Sequence, residues 1–350
     1  MEYIFLPIIH NTSKVRINFK GLLTTEEIDD IAQNFEVQFI QFNEPVNDQN
    51  WNLLEERLFA KRQDIALRVY GFYGQVCDIS FLQKLPSLRH FFADCLKSAV
   101  NLECISSLKN IKTLSIGIDE LTSFDFLENI SDQLTKLNLN KTDSAKPSIE
   151  SITRFKHLNS LVLVGHRKGF SAISELTLLK DLTLTSYSNP DLSFMNLLKN
   201  LTYLSIHLGG AKSLENIASL KNLRTLSLSW IRGLKDLSFV SRCENLETLD
   251  LECLKQVTEL PDISQLKKLK WLKISEMKGL KNLKSLSNTE SLEMISGTCG
   301  KFKPEDFEPA FKNKAVKCIS IYFPSLKKEL QMDELGAKYC VVTNYSEWKP

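Results

Sequence analysis

The sequence has almost no charge imbalance: 44 Lys and Arg residues are matched by 42 Asp and Glu residues, for a formal net charge of +2 over 350 residues. Such a balance gives no global reason to expect binding to nucleic acid or to a membrane surface. The densest basic stretch consists of Lys267, Lys268, Lys270, Lys273, Lys278, Lys281 and Lys284. We interpret it as a solvated edge rather than a phosphate-binding patch.

Long apolar runs are missing as well. No stretch approaches the roughly 18 consecutive apolar residues of a membrane-spanning helix. Residues 1–10 are apolar, but they lack a basic start and are interrupted by Pro7. They do not look like a secretory signal.

Motifs for catalysis or metal binding are absent too. No two of the five histidines stand at the i, i+4 spacing of helical metal ligands. There is no G-x-S-x-G and no G-x-x-x-x-G-K string. The Gly209-Gly210 pair is explained by a turn that requires positive φ. We therefore expect a protein that is not an enzyme and that has no cofactor or metal.

What the sequence does contain is a fixed period. The pattern L-x-x-L-x-L is clearest at residues 246–251, and its copies begin 21 to 24 residues apart. The copies begin at Leu88, Ile111, Leu134, Leu158, Leu179, Leu201, Leu223, Leu246, Leu269 and Leu292. A period of this length predicts a solenoid. The alternation at positions 4 and 6 predicts a strand whose alternate side chains point into a core.

The second half of each copy changes its spacing. Apolar residues then recur about every three positions, which predicts a 3₁₀ or turn-rich path. A second string, Asp-x-Ser-Phe, recurs at residues 78–81, 191–194 and 236–239. We expect its Asp to accept backbone N–H groups at a turn and its Phe to enter the core.

These copies resemble the leucine-rich repeat family, specifically its short bacterial-type repeats. The resemblance implies an α/β leucine-rich repeat solenoid with a curved parallel sheet on the concave face and short 3₁₀ or turn segments on the convex face. The family usually has Asn at position 9, where its side chain bonds the adjoining turn. Here position 9 holds Leu96, Asp119, Thr142, His166, Tyr187, Gly209, Ile231, Leu254, Met277 and Gly300. Without that ladder, apolar packing must hold the turn.

No Gly/Ser- or Pro-rich linker interrupts the repeats, so we predict one solenoid domain over residues 1–350. Within it, residues 1–63 form atypical N-terminal coils with two helices, residues 64–315 the regular repeats, and residues 316–350 a C-terminal cap. A separate N-terminal module is the alternative.

Helices are predicted at both ends of the chain. The first spans residues 24–35 and begins with a capping box, Thr24 and Glu27. The second spans residues 48–60, with Trp51, Leu54 and Leu58 on one face. A last short helix is indicated by Leu326, Leu330 and Leu335.

The eight cysteines form no C-x-x-C pair and do not cluster at the N-terminal end. Extracellular solenoids commonly carry a disulfide-bonded cap there. Several of these cysteines occupy positions where the repeat expects a small apolar side chain, and buried thiols behave as small hydrophobes. We therefore expect a reducing compartment, the cytoplasm.

We predict that the functional surface is the outward face of the strands, because positions 2, 3, 5, 7 and 8 of each copy point away from the core. In its middle this face is mostly Ser and Thr. Larger groups collect in the later copies: Tyr203, His207, Trp230, Asp250, Glu252, Trp271, Lys273 and Glu276. Aromatic anchors with charges around them are typical of protein interfaces. We predict that these residues bind a protein partner.

Several of these residues also have a purely structural interpretation. Trp271 could lie flat over neighbouring side chains, and Trp230 could pack against the following loop. Asp250, Glu252 and Lys273 could form cross-strand ion pairs that contribute little on a surface.

A second, smaller cluster on the same face consists of His90, Phe92 and Asp94. The resulting prediction for the whole chain is a monomeric, non-catalytic protein-recognition module without nucleic-acid or membrane partners. One specific form is an inhibitor or immunity-type protein that neutralises an enzyme. An extracellular adhesion or structural protein is the alternative.

Overall fold

The computed structural model describes residues 15–187 and 192–347. The chain forms two compact units, Met1–Ser144 and Ala145–Pro350, and each is described by itself. A single solenoid domain over the whole chain stays a prediction. The N-terminal residues 1–10 and Asp191 of the second Asp-x-Ser-Phe string lie outside the described residues.

The first unit contains parallel strands paired in the order β1-β2-β3-β5-β7-β8. These strands are β1 (Val15–Asn18), β2 (Val37–Phe42), β3 (Ala66–Gly71), β5 (His90–Leu96), β7 (Thr113–Ile118) and β8 (Lys136–Leu139). The two-residue strands β4 (Cys77–Asp78) and β6 (Ala99–Val100) pair with each other in a separate ladder.

The second unit continues the same pattern, with parallel strands paired in chain order from β9 to β16. They are β9 (Ser160–Val164), β10 (Asp181–Thr185), β11 (Tyr203–Gly210), β12 (Thr225–Arg232), β13 (Thr248–Glu252), β14 (Trp271–Ser275), β15 (Met294–Thr298) and β16 (Cys318–Tyr322).

The repeated leucines build the core of each unit. Leu226 pairs with Leu249, and Leu249 with Leu272, so equivalent leucines stack from strand to strand. Along β13 burial alternates, with Leu249 and Leu251 fully buried and their neighbours partly exposed. The predicted alternation is confirmed. Its physical origin is that a pleated strand sends successive side chains to opposite faces.

Short 3₁₀ segments follow most strands, as the three-residue spacing predicted. They are Ser80–Lys84, Leu102–Ser107, Asp125–Asn129, Glu150–Arg154, Phe170–Glu175, Ser193–Leu197, Glu215–Ser219, Ser238–Arg242, Lys284–Asn288, Pro304–Phe307 and Tyr345–Glu347. The Asp-x-Ser-Phe prediction is confirmed at two of its copies. Ser80 and Ser238 donate their backbone N–H groups to Asp78 and Asp236, each at 2.8 Å.

The helices also follow their sequence signals. α1 (Thr25–Gln33) begins at the Thr24 cap, with both hydrogen bonds of the capping box present. α2 (Gln49–Leu54) runs directly into a π-helical turn, Glu55–Phe59, and Trp51, Leu54 and Leu58 are buried as predicted.

Near the C-terminus lie α3 (Glu308–Phe311) and α4 (Leu326–Tyr339). The predicted last helix is therefore confirmed, but two of the leucines that indicated it, Leu326 and Leu330, are largely exposed. The helix is instead seated through Met332 and Gly336, which are buried.

A left-handed residue turns the chain at position 8 of several copies. The residues with positive φ at this position are Cys95, Gly165, Ser186, Leu208, Trp230, Cys253 and Glu276. A non-glycine residue in this conformation costs about 1–2 kcal/mol. The turn delivers the next residue into the core, and Leu96, Tyr187, Ile231, Leu254 and Met277 are buried there. Apolar packing thus replaces the family's usual Asn.

The explanation predicted for Gly209-Gly210 is wrong. Neither glycine has positive φ, whereas Leu208 just before them does, at 52°. Gly209 is required for space, because a Cβ there would lie 2.4 Å from the carbonyl oxygen of Tyr187.

Candidate partner-binding face

We define the outer face of the second unit as the outward side chains of β11 to β14. Tyr203, His207, Asp250, Glu252, Trp271 and Lys273 all lie on it. Asp250 stands directly opposite Lys273, and Thr248 opposite Trp271. Four neighbouring strands span about 15 Å at the usual spacing of 4.8 Å. The structure therefore brings these predicted residues together.

Small residues form a buried floor between the larger side chains. Ser205, Ser227, Ser229 and Ser275 point outward, yet all four are buried. They are buried because longer neighbours extend over them. His207 is one such neighbour: its Nε2 hydrogen-bonds the Ser205 hydroxyl and its Nδ1 the Ser229 hydroxyl. The imidazole is thus fixed across two strands, β11 and β12.

Burial changes the acid–base behaviour of this part of the face. It lowers the pKa of His207, with the nearby charge of Lys273 acting in the same direction and that of Asp250 opposing it. Burial also raises the pKa of Tyr203, whose hydroxyl interacts with Ser205. At neutral pH the imidazole and the phenol therefore present hydrogen-bonding groups without charge.

The charged centre of the face is the ion pair between Asp250 and Lys273. Lys273 Nζ lies 3.2 Å from Asp250 Oδ2, and the two side chains are 44% and 23% exposed. Asp250 Oδ1 is buried and has no hydrogen-bond partner within the described part of the chain. The predicted cross-strand pair exists, but it leaves one acceptor atom unused.

Trp271 is not bare, because the C-terminal end of the chain covers it. Its ring stacks on that of Tyr345, with centroids 6.1 Å apart and planes 18° apart. Its Nε1–H donates to the Ser296 hydroxyl at 2.8 Å. Tyr345 was not predicted to lie here, since it belongs to the last and weakest part of the repeat, where the sequence pattern indicates no such contact.

Trp230, near the end of β12, and Glu276, directly after β14, both have the left-handed backbone conformation. Trp230 is 46% exposed, and the ammonium of Lys255 from the next turn lies 5.8 Å from its ring centroid. The following loop thus places a cation beside the ring of Trp230. Glu276 pairs with Lys278 at 3.5 Å. Both residues therefore border the outer face at one end of the strands.

The second predicted cluster, in the first unit, is part of a larger network. Asp94 accepts hydrogen bonds from Arg68, including one of 2.9 Å from Nε. Arg68 also donates to Gln41 at 3.2 Å, and Gln41 donates to Asn18 at 2.7 Å. These three partners were not predicted from the sequence. The sequence feature that could have indicated them is their position between inward-facing strand residues of the early, irregular copies. Arg68, for example, lies between Leu67 and Val69.

The other two members of that cluster also have structural partners. His90 Nδ1 lies 2.9 Å from the Thr113 hydroxyl. Phe92 packs edge-on against Phe39, with ring centroids 5.4 Å apart. Phe92 thus packs against a side chain of β2.

No group of three or more His, Cys, Asp or Glu side chains that could hold a metal ion occurs within residues 15–187 and 192–347. None of the eight cysteines, all of which lie in the described part of the chain, forms a disulfide bond. Burial raises the pKa of Cys77 to about 12 and that of Cys243 to about 11, which disfavours the nucleophilic thiolate. Across the same residues, none of the helices has the length and apolar character needed to cross a membrane.

Solved structures show which fold this is. An internalin (inlF) from Listeria monocytogenes matches 89% of this chain and 87% of its own, with a TM-score of 0.57 and 17% identity. A leucine-rich repeat protein from Leptospira interrogans matches 95% of this chain and 100% of its own, with a TM-score of 0.50 and 16% identity. The chain has the leucine-rich repeat fold, as predicted.

A third structure, a TLR13–ssRNA13 complex, matches 91% of this chain and 56% of its own, with a TM-score of 0.51 and 13% identity. No protein-family model and no curated protein matches the sequence. At identities this low the likeness is one of fold, and function has to be argued from the site.

Proposed function

We propose that this chain is a non-catalytic recognition module that binds a protein partner on the outer face of the second unit. The observation that carries the proposal is the grouping of Tyr203, His207, Asp250, Lys273 and Trp271 over a floor of buried serines. Aromatic anchors surrounded by polar groups are the usual composition of an interface hot spot.

The outer face suits recognition because its backbone is fixed by the sheet while its polar groups keep unused capacity. Lys273 remains 44% exposed, and Asp250 Oδ1 lacks a hydrogen-bond partner among the described residues. A rotation of the Asp250 side chain would bring that oxygen to the surface, where a donor from a partner could satisfy it. A buried acceptor left unpaired costs about 1–3 kcal/mol, so completing its hydrogen bonds would favour binding.

Trp230 and Glu276 extend the proposed surface toward the turns, and Glu252 adds a carboxylate opposite Ser275. Recognition by a monomer in the cytoplasm is part of the proposal. An inhibitor or immunity-type protein would use this surface to neutralise an enzyme. An adhesion protein would use it outside the cell, and the identity of a captured partner separates the two.

The test is an affinity capture from the lysate of the source cell. The double variant Tyr203→Ala/Trp271→Ala should weaken the free energy of partner binding by more than about 2 kcal/mol, the usual range for hot-spot residues. Tyr73→Ala is the matched control, since Tyr73 is 87% exposed and belongs to the first unit.

A partner captured by the wild type and by Tyr73→Ala, but lost by the double variant, is the expected result. Equal capture by all three proteins would contradict the proposal that the partner binds the outer face of the second unit. Binding would then have to be assigned elsewhere on the chain.

A further inference from the structure

The last residues of the chain return to the edge of the sheet after α4. Val342 lies beside Cys318 of β16 as a parallel bridge. Its N–H donates to the Lys317 carbonyl at 3.0 Å, and its carbonyl accepts from Ile319 N–H at 2.8 Å. Thr343 then donates its hydroxyl to Asp333 of α4 at 2.6 Å. These contacts anchor the chain up to residue 343.

Beyond that anchor, Tyr345 reaches the outward side of the strands. Its backbone N–H donates to the Ser320 hydroxyl at 3.3 Å while its ring stacks on Trp271. Trp271 is held in turn by the hydrogen bond from its indole to Ser296. Because β14, β15 and β16 each contribute one of these side chains, we call Trp271, Ser296 and Ser320 the aromatic subsite.

We propose that the aromatic subsite receives a tyrosine or phenylalanine from an extended segment of the protein partner, and that Tyr345 occupies it in the free chain. This inference rests on the proposed function and adds the chemistry of the ligand. The contacts of Tyr345 identify that chemistry. Its aromatic ring stacks on the indole of Trp271, and its main-chain N–H donates to the hydroxyl of Ser320.

The geometry allows Tyr345 to give way to an incoming ring. Tyr345 is 52% exposed, and it lies two residues beyond the Thr343 anchor. Exposed segments with little buried apolar surface open at low cost compared with the core. A single offset aromatic pair contributes only a modest free energy of interaction. A partner that makes further contacts on the outer face would therefore displace Tyr345 from the aromatic subsite.

Occupancy by Tyr345 also makes a quantitative prediction. When the binding-competent state is only a fraction of the population, the apparent dissociation constant equals the intrinsic one divided by that fraction. For a single aromatic pair, removal of the internal ring should tighten binding of an external one by about 2- to 10-fold.

The first experiment uses NMR of the full chain labelled with ¹⁵N. The sequence has four tryptophans, and Trp271→Phe identifies the indole signal of Trp271. In Tyr345→Ala this signal should move, while those of Trp51 and Trp230 stay in place. An unmoved Trp271 signal would overturn the internal contact.

The second experiment adds a ligand to the same samples. The probe is a blocked pentapeptide, Thr-Asn-Tyr-Ser-Glu, and its matched control has Ala in place of Tyr. The tyrosine peptide should shift the Trp271 signal of Tyr345→Ala and bind it about 2- to 10-fold more tightly than the wild type. Equal shifts with both peptides would overturn the subsite.

The final experiment separates this inference from the proposed function. Tyr345→Ala should capture more of the cellular partner than the wild type, and Tyr73→Ala should not. Unchanged capture by Tyr345→Ala, together with loss in Tyr203→Ala/Trp271→Ala, would overturn the subsite and leave the proposed function intact. Peptide binding without any captured partner would support the subsite and contradict the proposed function.

Discussion

Outward strand residues form an ion pair in each unit, but the two pairs differ in their exposure to solvent. In the first unit, Arg68 and Asp94 form an ion pair whose side chains are only 8% and 12% exposed. In the second unit, Lys273 and Asp250 form an ion pair whose side chains are 44% and 23% exposed. The first pair is enclosed by protein, and the second faces solvent.

The neighbours of each pair explain this difference. Arg68 lies between Gln41 and Phe92 in the register of the sheet, and its guanidinium lies 4.5 Å from the ring centroid of Tyr70. Asp250 and Lys273 are flanked instead by Ser227 and Ser296. Large neighbours exclude water from the first pair, whereas short ones leave the second open. We infer that the first pair supports folding and that the second is available for recognition.

The largest expected effect would come from breaking the enclosed pair. Asp94→Ala leaves the Arg68 guanidinium buried without its carboxylate, which should cost about 3–5 kcal/mol of stability. Urea unfolding followed through the buried Trp51 of the first unit measures this loss. Arg68→Met/Asp94→Leu is the matched control and should cost less than the single change, because it leaves no unpaired charge. A loss below about 1 kcal/mol for Asp94→Ala would contradict a structural role.

In the second unit, stability should depend on the core rather than on the outer face. Leu249 is fully buried, so Leu249→Ala should cost about 2–5 kcal/mol through lost burial and a residual cavity. Tyr203→Ala/Trp271→Ala should leave the unfolding midpoint nearly unchanged, as followed by circular dichroism in urea. If the surface pair destabilised the protein as much as Leu249→Ala, the assignment of the two faces would be wrong.

A smaller effect should follow the titration of His207. Because burial lowers its pKa in the folded state, the unfolded chain binds the proton more readily. The stability contributed by neutral His207 is therefore complete above pH 7. It declines as pH falls from the ordinary imidazole pKa of about 6.5 toward the folded-state value.

Urea unfolding between pH 5 and pH 8 measures this slope, which His207→Gln should reduce. His90→Gln is the matched variant in the first unit, where burial and the charges of Lys136 and Arg89 also lower the pKa of His90. An unchanged slope in His207→Gln would show that the imidazole keeps the same pKa in both states.

The smallest expected change in stability is that of the exposed pair. Lys273→Ala should alter the free energy of unfolding by less than about 1 kcal/mol, since solvent screens the interaction. The same variant should weaken capture of the partner. A loss of stability as large as that of Asp94→Ala would remove the contrast between the two units.

Much of this fold could be predicted from local patterns. The leucines at positions 1, 4 and 6, the three-residue spacing that follows them and the Thr24–Glu27 capping box each depend on neighbours within a few residues. The outward direction of Tyr203, Asp250 and Lys273 follows from the pleat alone. These features are local because strand alternation and helix capping are properties of short segments.

Contacts over long sequence separations could not be predicted in the same way. Arg68 reaches Asp94 across 26 positions, and Tyr345 follows Trp271 by 74. Both contacts depend on the position in space of a segment that is distant in the sequence. The left-handed turn at position 8 was also missed, because Leu208, Trp230 and Glu276 share no residue type that favours it.

The sequence by itself thus determined the repeat, the direction of each strand side chain and which residues point outward in each unit, since all three depend on a local period. Only the tertiary structure decided which charges are enclosed and that Tyr345 covers Trp271. Burial depends on the size of neighbours in adjacent coils and on the return of the last segment, and neither is contained in the period of a single copy.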